Sequence, residues 1–149
     1  MINKCGECNR CCALFAVTEL NKRETTLCPF WDKKCTIYSS RPKSCKEFSC
    51  AWLQSGSANI NLRPDKCGIL FEKLSERIFF GTVDPEIKMS EIGVAQIKSF
   101  VLQGYSVVLA SPKEATNRLF LNEHHKEEEI IFEMGKYIER YGNLWNRFN

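Results

Sequence analysis

The sequence lacks the features that direct a protein to a membrane or out of the cell. No apolar run approaches the roughly 20 residues that a membrane-spanning helix needs. Residues 1–5 contain no apolar stretch of the kind that forms a secretion signal. We therefore expect a cytoplasmic protein with no membrane partner.

Histidine is scarce and the excess of positive charge is small. The two histidines, His124 and His125, are adjacent and lie far from most cysteines in sequence, so no Cys/His or Ser/His/Asp arrangement for nucleophilic catalysis stands out. The acidic run at 127–129 that follows favours a solvated helix start over a metal site. A formal net charge of +3 is too small to favour a nucleic-acid partner.

Cysteine, by contrast, is abundant and unevenly distributed. Eight of the nine cysteines lie in the first fifty residues, and only Cys67 falls in the remaining 99. Structural disulfides are disfavoured in a reducing cytosol. Thiolate–metal bonds are therefore the better explanation of this concentration of cysteines. The predicted metal ligands are Cys5, Cys8, Cys11, Cys12, Cys28, Cys35, Cys45 and Cys50. Cys67 is interpreted as a plain thiol.

Composition divides the chain near residue 56. Residues 1–56 carry nine basic and five acidic residues, a net of +4, whereas the rest carries twelve and thirteen, a net of −1. We predict a cysteine-cluster metal-binding module at 1–56 and a small α+β unit at 57–149, which also fits one continuous domain. So small a module, with its apolar residues scattered among cysteines, needs a metal to fold.

The fold class predicted is α+β, with a metal-stabilised N-terminal module packed on a mainly antiparallel sheet and two helices. In the module we expect a cysteine knuckle at 5–12 leading into a helix to about Leu20, and a hairpin at 28–38. We also expect a helix, capped by Ser40, that holds Cys45 and Cys50 and ends before Ser55. Unless that helix ends between Cys45 and Cys50, the two serve different metals or only one is a ligand.

The second unit shows ordinary strand and helix patterns. We expect strands at 68–74, 77–83, 105–110 and 118–122, and a helix at 90–103 that stops before Gly104. A last helix is predicted from an apolar stripe at helical spacing, formed by Ile130, Ile131, Met134, Tyr137, Ile138 and Tyr141.

The cysteine spacings suggest metal geometry without fixing the ligand sets. A two-residue spacer, as between Cys5 and Cys8, lets a tight turn aim two sulfurs at one ion. Adjacent Cys11 and Cys12 point in different directions, so one of them would face or bridge a second metal. Eight thiolates suit either two four-sulfur sites or one iron–sulfur cluster with further cysteines in support.

The order of these motifs resembles a known family. Residues 5–50 are similar to the CxxCxxCC family of zinc- or iron-chelating proteins, the YkgJ-type cysteine cluster proteins, through Cys5-x2-Cys8-x2-Cys11-Cys12, Cys28-Pro29, Cys35-Thr36-Ile37-Tyr38-x2-Arg41-Pro42-x2-Cys45 and Lys46-x-Phe48-x-Cys50. Residues 63–71 also resemble a downstream segment of some members, less distinctively.

The resemblance implies metal binding by the matched cysteines. Analogy with the flagellin lysine methylases of this family favours an iron–sulfur cluster of the [4Fe–4S] type over Zn²⁺. Their activity is not carried over, because this chain shows no Gly-rich nucleotide loop. The alternatives are a cluster-dependent methyl-transfer or redox enzyme with a pocket lined by 60–72, a metal chaperone, and a zinc-stabilised module that binds a protein partner.

Basic residues near the cysteines are the expected counter-charges. Four-sulfur metal sites are anionic, and Arg41, Lys43 and Lys46 lie between or beside the last two cysteines of the motif. We expect these three side chains to offset the charge of the metal–thiolate group.

Overall fold

The computed structural model describes residues 3–141, which form a mixed α+β fold with four strands and six α-helices. The strands are β1 Ile69–Lys73, β2 Ile78–Val83, β3 Ser106–Ser111 and β4 Thr116–Phe120. The helices are α1 Arg10–Leu14, α2 Lys43–Glu47, α3 Ala51–Ser55, α4 Pro64–Cys67, α5 Glu91–Leu102 and α6 Glu127–Tyr141. The predicted α+β class is confirmed; α4, with Pro64 at its start, is additional to the two long helices predicted after residue 56.

The four strands form one sheet in the order β1-β2-β3-β4, and it is mainly antiparallel as predicted. The pairs β1–β2 and β3–β4 are antiparallel, whereas β2 and β3 run parallel. A parallel pair needs a crossover connection, which α5 provides here. All four strands lie within two residues of the boundaries expected from the sequence.

The main core lies between the sheet and α5. The Phe79 ring stacks on Phe100 with centroids 3.8 Å apart, and Phe71 meets Phe100 edge-on at 5.2 Å. Gly81 sits opposite Phe71 in the register. A Cβ at Gly81 would come within 2.8 Å of Leu109 Cδ1 and 2.9 Å of the Phe71 ring, so only glycine fits.

The helix signals of the second unit are largely confirmed. Ser90 caps α5, its Oγ accepting the Gly93 N–H at 3.0 Å, and Gly104 follows the helix at φ +101°. In α6, Ile130 is buried, as predicted.

One position of the predicted apolar stripe on α6 is wrong. Ile131 is 60% exposed, because a residue one step beyond the buried Ile130 is turned about 100° around the helix. Met134 and Tyr137 pack against a small cluster formed by Phe80 and Ala110. The side chains of Ile138 and Tyr141 lie outside the described part of the structure.

The N-terminal part, residues 3–56, is built from short pieces. Helix α1 ends at Leu14 and is followed by a separate 3-10 helix, Thr18–Leu20, so the expected continuous helix to Leu20 is wrong. The expected hairpin at 28–38 is reduced to one bridge, Trp31–Cys35, closed by a turn in which Lys33 has φ +58°.

The single helix expected to hold Cys45 and Cys50 is also wrong. Cys45 lies in α2 and Cys50 is the N-cap of α3, with Phe48 in extended conformation between the two helices. Phe48 turns into the interior and meets the Phe15 ring edge-on at 5.0 Å. Helix α2 begins after Pro42 and not after a Ser40 cap, because Ser40 ends the 3-10 helix Tyr38–Ser40.

The N-terminal part contacts the sheet through an apolar cluster and a buried ion pair. Leu14, Trp52 and Leu53 pack with Leu70 of β1. The Arg10 guanidinium binds both carboxylate oxygens of Asp84, which follows β2. The division near residue 56 and the metal-stabilised character of the first part stay predictions.

Candidate metal centre

Seven of the eight predicted ligand cysteines line one cavity of about 460 Å³. They come from segments that are well separated in sequence: the turn before α1, α1 itself, the loop with the Trp31–Cys35 bridge, and α2. The seven are Cys5, Cys8, Cys11, Cys12, Cys28, Cys35 and Cys45. None of the nine cysteines of the chain is in a disulfide.

The eighth predicted ligand, Cys50, does not line this cavity. It is buried in the apolar cluster with Leu14 and Trp52, at the start of α3. Burial raises the pKa of the Cys50 thiol, and the backbone N–H groups of Leu53 and Trp52 act in the opposite direction. Cys5 and Cys11, which line the cavity, pack against the same cluster.

The first four cysteines are positioned by a tight turn that leads into α1. Gly6 has φ +57°, a conformation that favours glycine, and the Cys8 N–H donates to the Cys5 carbonyl at 3.0 Å. Cys11 and Cys12 follow in the first turn of α1, and their thiols share a hydrogen bond. Residues 5–12 thus form a turn followed by the start of a helix, and their role as a metal-binding knuckle stays a prediction.

The next two cysteines are brought to α1 by backbone hydrogen bonds. The Cys28 N–H donates to the Cys12 carbonyl at 3.0 Å, which fixes Cys28 beside the first group. The Trp31 N–H donates to the Cys28 carbonyl at 3.1 Å, and the Trp31–Cys35 bridge then returns the chain. Cys28 and Cys35 thus line the same cavity, although only one bridge of the predicted hairpin is present.

Cys45 is placed by an interaction between α2 and the 3-10 helix Thr18–Leu20. The Glu19 carboxylate accepts the Ser44 N–H at 3.0 Å and the Ser44 hydroxyl at 2.8 Å. These bonds lower the pKa of Glu19. Residue 44 is therefore held next to this 3-10 helix, and the adjacent Cys45 lines the cavity.

Most of the buried thiols are held protonated when no metal is bound. Burial raises the pKa of Cys5 to about 11 and that of Cys8 to about 12. Cys12 differs, because the hydrogen bond from Cys11 lowers its pKa to about 7. Metal binding at this cavity would release protons, since a thiol ligates as the thiolate.

The donors are of the kind that a thiophilic metal prefers, and seven of them line one cavity. Within residues 3–141, no three histidine, cysteine, aspartate or glutamate side chains converge closely enough to hold one metal ion. A tetrahedral zinc site needs four sulfurs at about 2.3 Å from one point. The seven thiols instead surround a space that is larger than one ion.

Cys67 and the two histidines lie apart from this cavity. Cys67 is 1% exposed in the core beside β1, and its thiol donates to the Ile69 carbonyl at 3.2 Å. His125 Nδ1 is 2.8 Å from the Ser106 hydroxyl, and burial lowers the pKa of this imidazole. Neither histidine is among the residues that line the cavity.

The expected counter-charges divide into one that faces the cavity and two that do not. Arg41 lines the cavity, with its guanidinium 3.8 Å from the centre of the Tyr38 ring. Lys43 and Lys46 are exposed, and Lys43 pairs with Glu47 at 3.6 Å. Sequence reasoning missed two further cations that line the cavity, Lys4 and Lys34. It also missed Lys22, which is buried and donates to the Phe15 carbonyl. No local pattern distinguishes Lys22 from a surface lysine.

A second, larger cleft of about 1,110 Å³ adjoins the cysteine cavity. Ser44 and Phe48 line both spaces, so α2 forms a shared wall. The segment around β1 contributes Leu62, Pro64, Ile69, Phe71 and Glu72 to the cleft. The carboxylate of Glu72 is buried and accepts a hydrogen bond from the Tyr137 hydroxyl at 3.2 Å.

Comparison with known proteins assigns no family and no function to this cavity. The chain matches no protein-family model, no curated protein and no solved structure. Of the helices that the structure describes, none combines the length and the apolar character needed to cross a membrane.

Proposed function

We propose that this chain is a metal-binding protein whose N-terminal cysteines hold an iron–sulfur cluster of the [4Fe–4S] type, in preference to zinc. The observation that carries the proposal is the meeting of seven cysteines, drawn from distant parts of the first 45 residues, at one cavity. Thiolates are the ligands that iron–sulfur clusters and structural zinc both use.

The spacing of the thiols supports a cluster over a single ion. A cluster offers several iron atoms at separate points, so its ligands stand further apart than the four sulfurs of one tetrahedral zinc. The thiols here surround a space of about 460 Å³, and within the described residues no three donors converge on one point. The analogy of the cysteine spacings at residues 5–50 with the flagellin lysine methylases of the CxxCxxCC family supports the same choice.

The wall of the cavity suits a metal centre that is shielded from water. Between the cysteines it is lined by apolar side chains, among them Phe15, Val17, Leu20, Trp31 and Phe48. Such a shell limits solvent access, which stabilises a cluster and shifts its reduction potential. A bound cluster would supply electron transfer; the protein's own residues would supply the ligands, the shell and the counter-charge.

A second candidate function, a cluster-dependent enzyme, is favoured by the large cleft. The sequence-based hypothesis required a pocket beside the cysteines that the 60–72 segment lines. A cleft of about 1,110 Å³ meets that description, and it shares Ser44 and Phe48 with the cysteine cavity. Ser44 and Phe48 would then lie between a bound substrate and the cysteine cavity.

Two alanine variants test the ligand assignment against a matched control. Cys35→Ala removes a thiol of the cavity, whereas Cys67→Ala removes a buried thiol of the sheet core. We expect Cys35→Ala to lose most of the bound metal and Cys67→Ala to keep it, measured as metal per chain after purification without oxygen. Full metal content in Cys35→Ala, or equal loss in both variants, would overturn the proposed site.

The enzyme candidate is tested by binding to the large cleft. A fragment library screened by NMR against the metal-loaded protein should shift the side-chain amides of Gln96 and Gln103, which line the cleft. Ligands that also change the electronic absorption of the metal centre would support a substrate site. A cleft that binds no fragment would count against this function and leave metal binding intact.

A further inference from the structure

The cysteine cavity is lined by three cations and, among the residues that the structure describes, by no acidic side chain. The cations are Lys4, Lys34 and Arg41. Lys4 and Lys34 are exposed, so the cavity reaches the surface beside them. Within residues 3–141 none of the three cations forms an ion pair with a carboxylate. Their charge therefore faces the cavity and the solvent without an acidic partner.

The backbone holds both lysines in defined places, each directly before one of the lining cysteines. The Lys4 carbonyl accepts the indole N–H of Trp52 at 3.3 Å. The Lys34 carbonyl accepts the Asp32 N–H at 2.9 Å, within the turn that the Trp31–Cys35 bridge closes. Two segments that are distant in sequence thus each bring a cation to the same cavity.

The loop at 27–38, which contains Lys34, also exposes apolar side chains. Leu27 is 46% exposed, Phe30 38% and Tyr38 40%. The Arg41 guanidinium lies over the Tyr38 ring, and both side chains line the cavity. Exposed aromatic side chains next to arginine are typical of protein–protein interfaces, and the sign of the surrounding charge selects the partner.

A bound cluster would not neutralise these cations. Four thiolates on a [4Fe–4S] core of charge 2+ carry about −2 in total. Residues 1–56 carry nine basic and five acidic residues, a net of +4. With one cluster bound, this part of the chain therefore keeps a net charge of about +2. Such a field attracts anionic partners over a distance of about 10 Å at 0.1 M salt.

We propose that Lys4, Lys34 and Arg41 form the docking surface for an acidic electron-carrier protein. This inference rests on the proposed iron–sulfur function, because the cavity that holds the thiols reaches the surface beside these cations. The partner's redox group would accept one electron and be reduced by it, while the reduced cluster is oxidised by the same electron. The three cations bind and orient the partner and take no part in the transfer itself.

The test measures binding and electron transfer with two model partners of opposite charge. The full chain, reconstituted with iron and sulfide without oxygen, is mixed with an acidic b-type cytochrome or with a basic c-type cytochrome. We expect calorimetry to detect binding of the acidic cytochrome only, with an affinity that falls as salt is raised. In stopped flow, haem reduction by the reduced protein should slow with salt for the acidic cytochrome and quicken for the basic one.

A double variant and a matched control assign the effect to this surface. Lys4→Gln with Lys34→Gln removes two exposed charges and leaves every cysteine in place. Lys98→Gln with Lys113→Gln removes two exposed charges that do not line the cavity. We expect the first pair to weaken binding of the acidic cytochrome by about 3- to 10-fold at low salt, the range for two exposed ion pairs, and the second to leave it unchanged. Equal weakening by both pairs, or an affinity that does not depend on salt, would overturn the docking surface.

Nucleic acid is the other anionic macromolecule that such a surface could meet, and a short DNA duplex is the probe for it. Binding of the duplex at about 0.15 M salt that is lost in Lys4→Gln with Lys34→Gln would overturn the protein partner. A loaded protein that does not distinguish the two cytochromes would overturn the docking surface alone. Absence of iron–sulfide absorption after reconstitution would overturn the proposed function itself, which is a distinct result.

Discussion

The two parts of the chain are stabilised in different ways. After residue 56 the structure has a four-stranded sheet, helices of 12 and 15 residues, and a core of fully buried side chains such as Ile69, Ile78 and Val107. Before it, the three α-helices have five residues each, and seven thiols line a cavity. The sheet part is stabilised by buried apolar side chains, whereas the N-terminal part brings thiols together.

This difference indicates which part depends on a ligand. Burial of apolar surface stabilises a fold by about 25 cal/mol per Å², and the sheet part obtains this stabilisation from its own side chains. Helices of five residues are too short to be stable by themselves. We therefore expect the fold of residues 3–56 to depend on metal binding and that of the sheet not to.

Metal removal should give the largest effect. When the metal is stripped by a chelator under reducing conditions, residues 3–56 should lose protection of their backbone amides, because the thiols no longer have a common partner. The amides of β2 and β3 should stay protected. Hydrogen exchange followed by NMR or mass spectrometry measures both regions in one experiment.

Two other results of the exchange experiment would contradict this difference between the two parts. Equal loss of protection in the sheet would mean that the two parts fold as one cooperative unit. Unchanged protection in residues 3–56 would mean that their fold needs no metal.

The next largest effect is expected at the buried ion pair that connects the two parts. Arg10→Met leaves the carboxylate of Asp84 buried without its guanidinium partner, and removal of one member of such a pair costs about 3–5 kcal/mol. Glu86→Gln is the matched control, because Glu86 binds the same guanidinium at 3.0 Å but its side chain is 68% exposed. We expect it to cost under about 1 kcal/mol in urea unfolding. Similar costs for the two variants would contradict the assigned burial.

A substitution in the sheet should destabilise the protein without changing its metal content. Gly81→Ala places a Cβ within 2.8 Å of Leu109 Cδ1, and such overpacking costs about 1–3 kcal/mol. Gly135→Ala is the control, since nothing lies within 4 Å of its Cβ position. Metal per chain should equal the wild-type value in both. A loss of metal in Gly81→Ala alone would show that the sheet supports the cysteine cavity.

The smallest effect is expected at the start of α5. Ser90→Ala removes the side-chain acceptor of the Gly93 N–H, and loss of such a cap costs about 1 kcal/mol. Ser90→Asp keeps an acceptor and should remain near wild-type stability in thermal unfolding. Equal destabilisation by both variants would contradict the capping role.

The sheet part could be predicted from the sequence because its signals are local. Strands alternate with turn residues, Ser90 and Gly104 mark the two ends of α5, and the predicted strand boundaries fall within two residues of the observed ones. The sequence placed Ile131 in the apolar stripe of α6, although its side chain is exposed. A stripe of six positions does not specify which of them lies at its edge. That detail depends on how α6 packs against Phe80.

The cysteine part was predictable in its residues but not in its backbone. Spacing singled out eight cysteines, and seven of them meet at one cavity, because clustered cysteines leave a pattern in the sequence. It left open whether the helix ends between Cys45 and Cys50, since no Gly or Pro marks residue 48 and the break follows from packing of Phe48 on Phe15. The burial of Lys22 is likewise a tertiary property.

Metal and acid-labile sulfide content, with an absorption spectrum, of the chain purified without oxygen tests the central proposal most directly. We predict iron and sulfide in similar amounts and a broad absorption band near ~400 nm, as iron–sulfur clusters show. Zinc alone, with no visible absorption, would contradict the cluster and make residues 3–56 a zinc-stabilised module. A purified chain with neither metal, and no uptake on reconstitution, would contradict metal binding altogether.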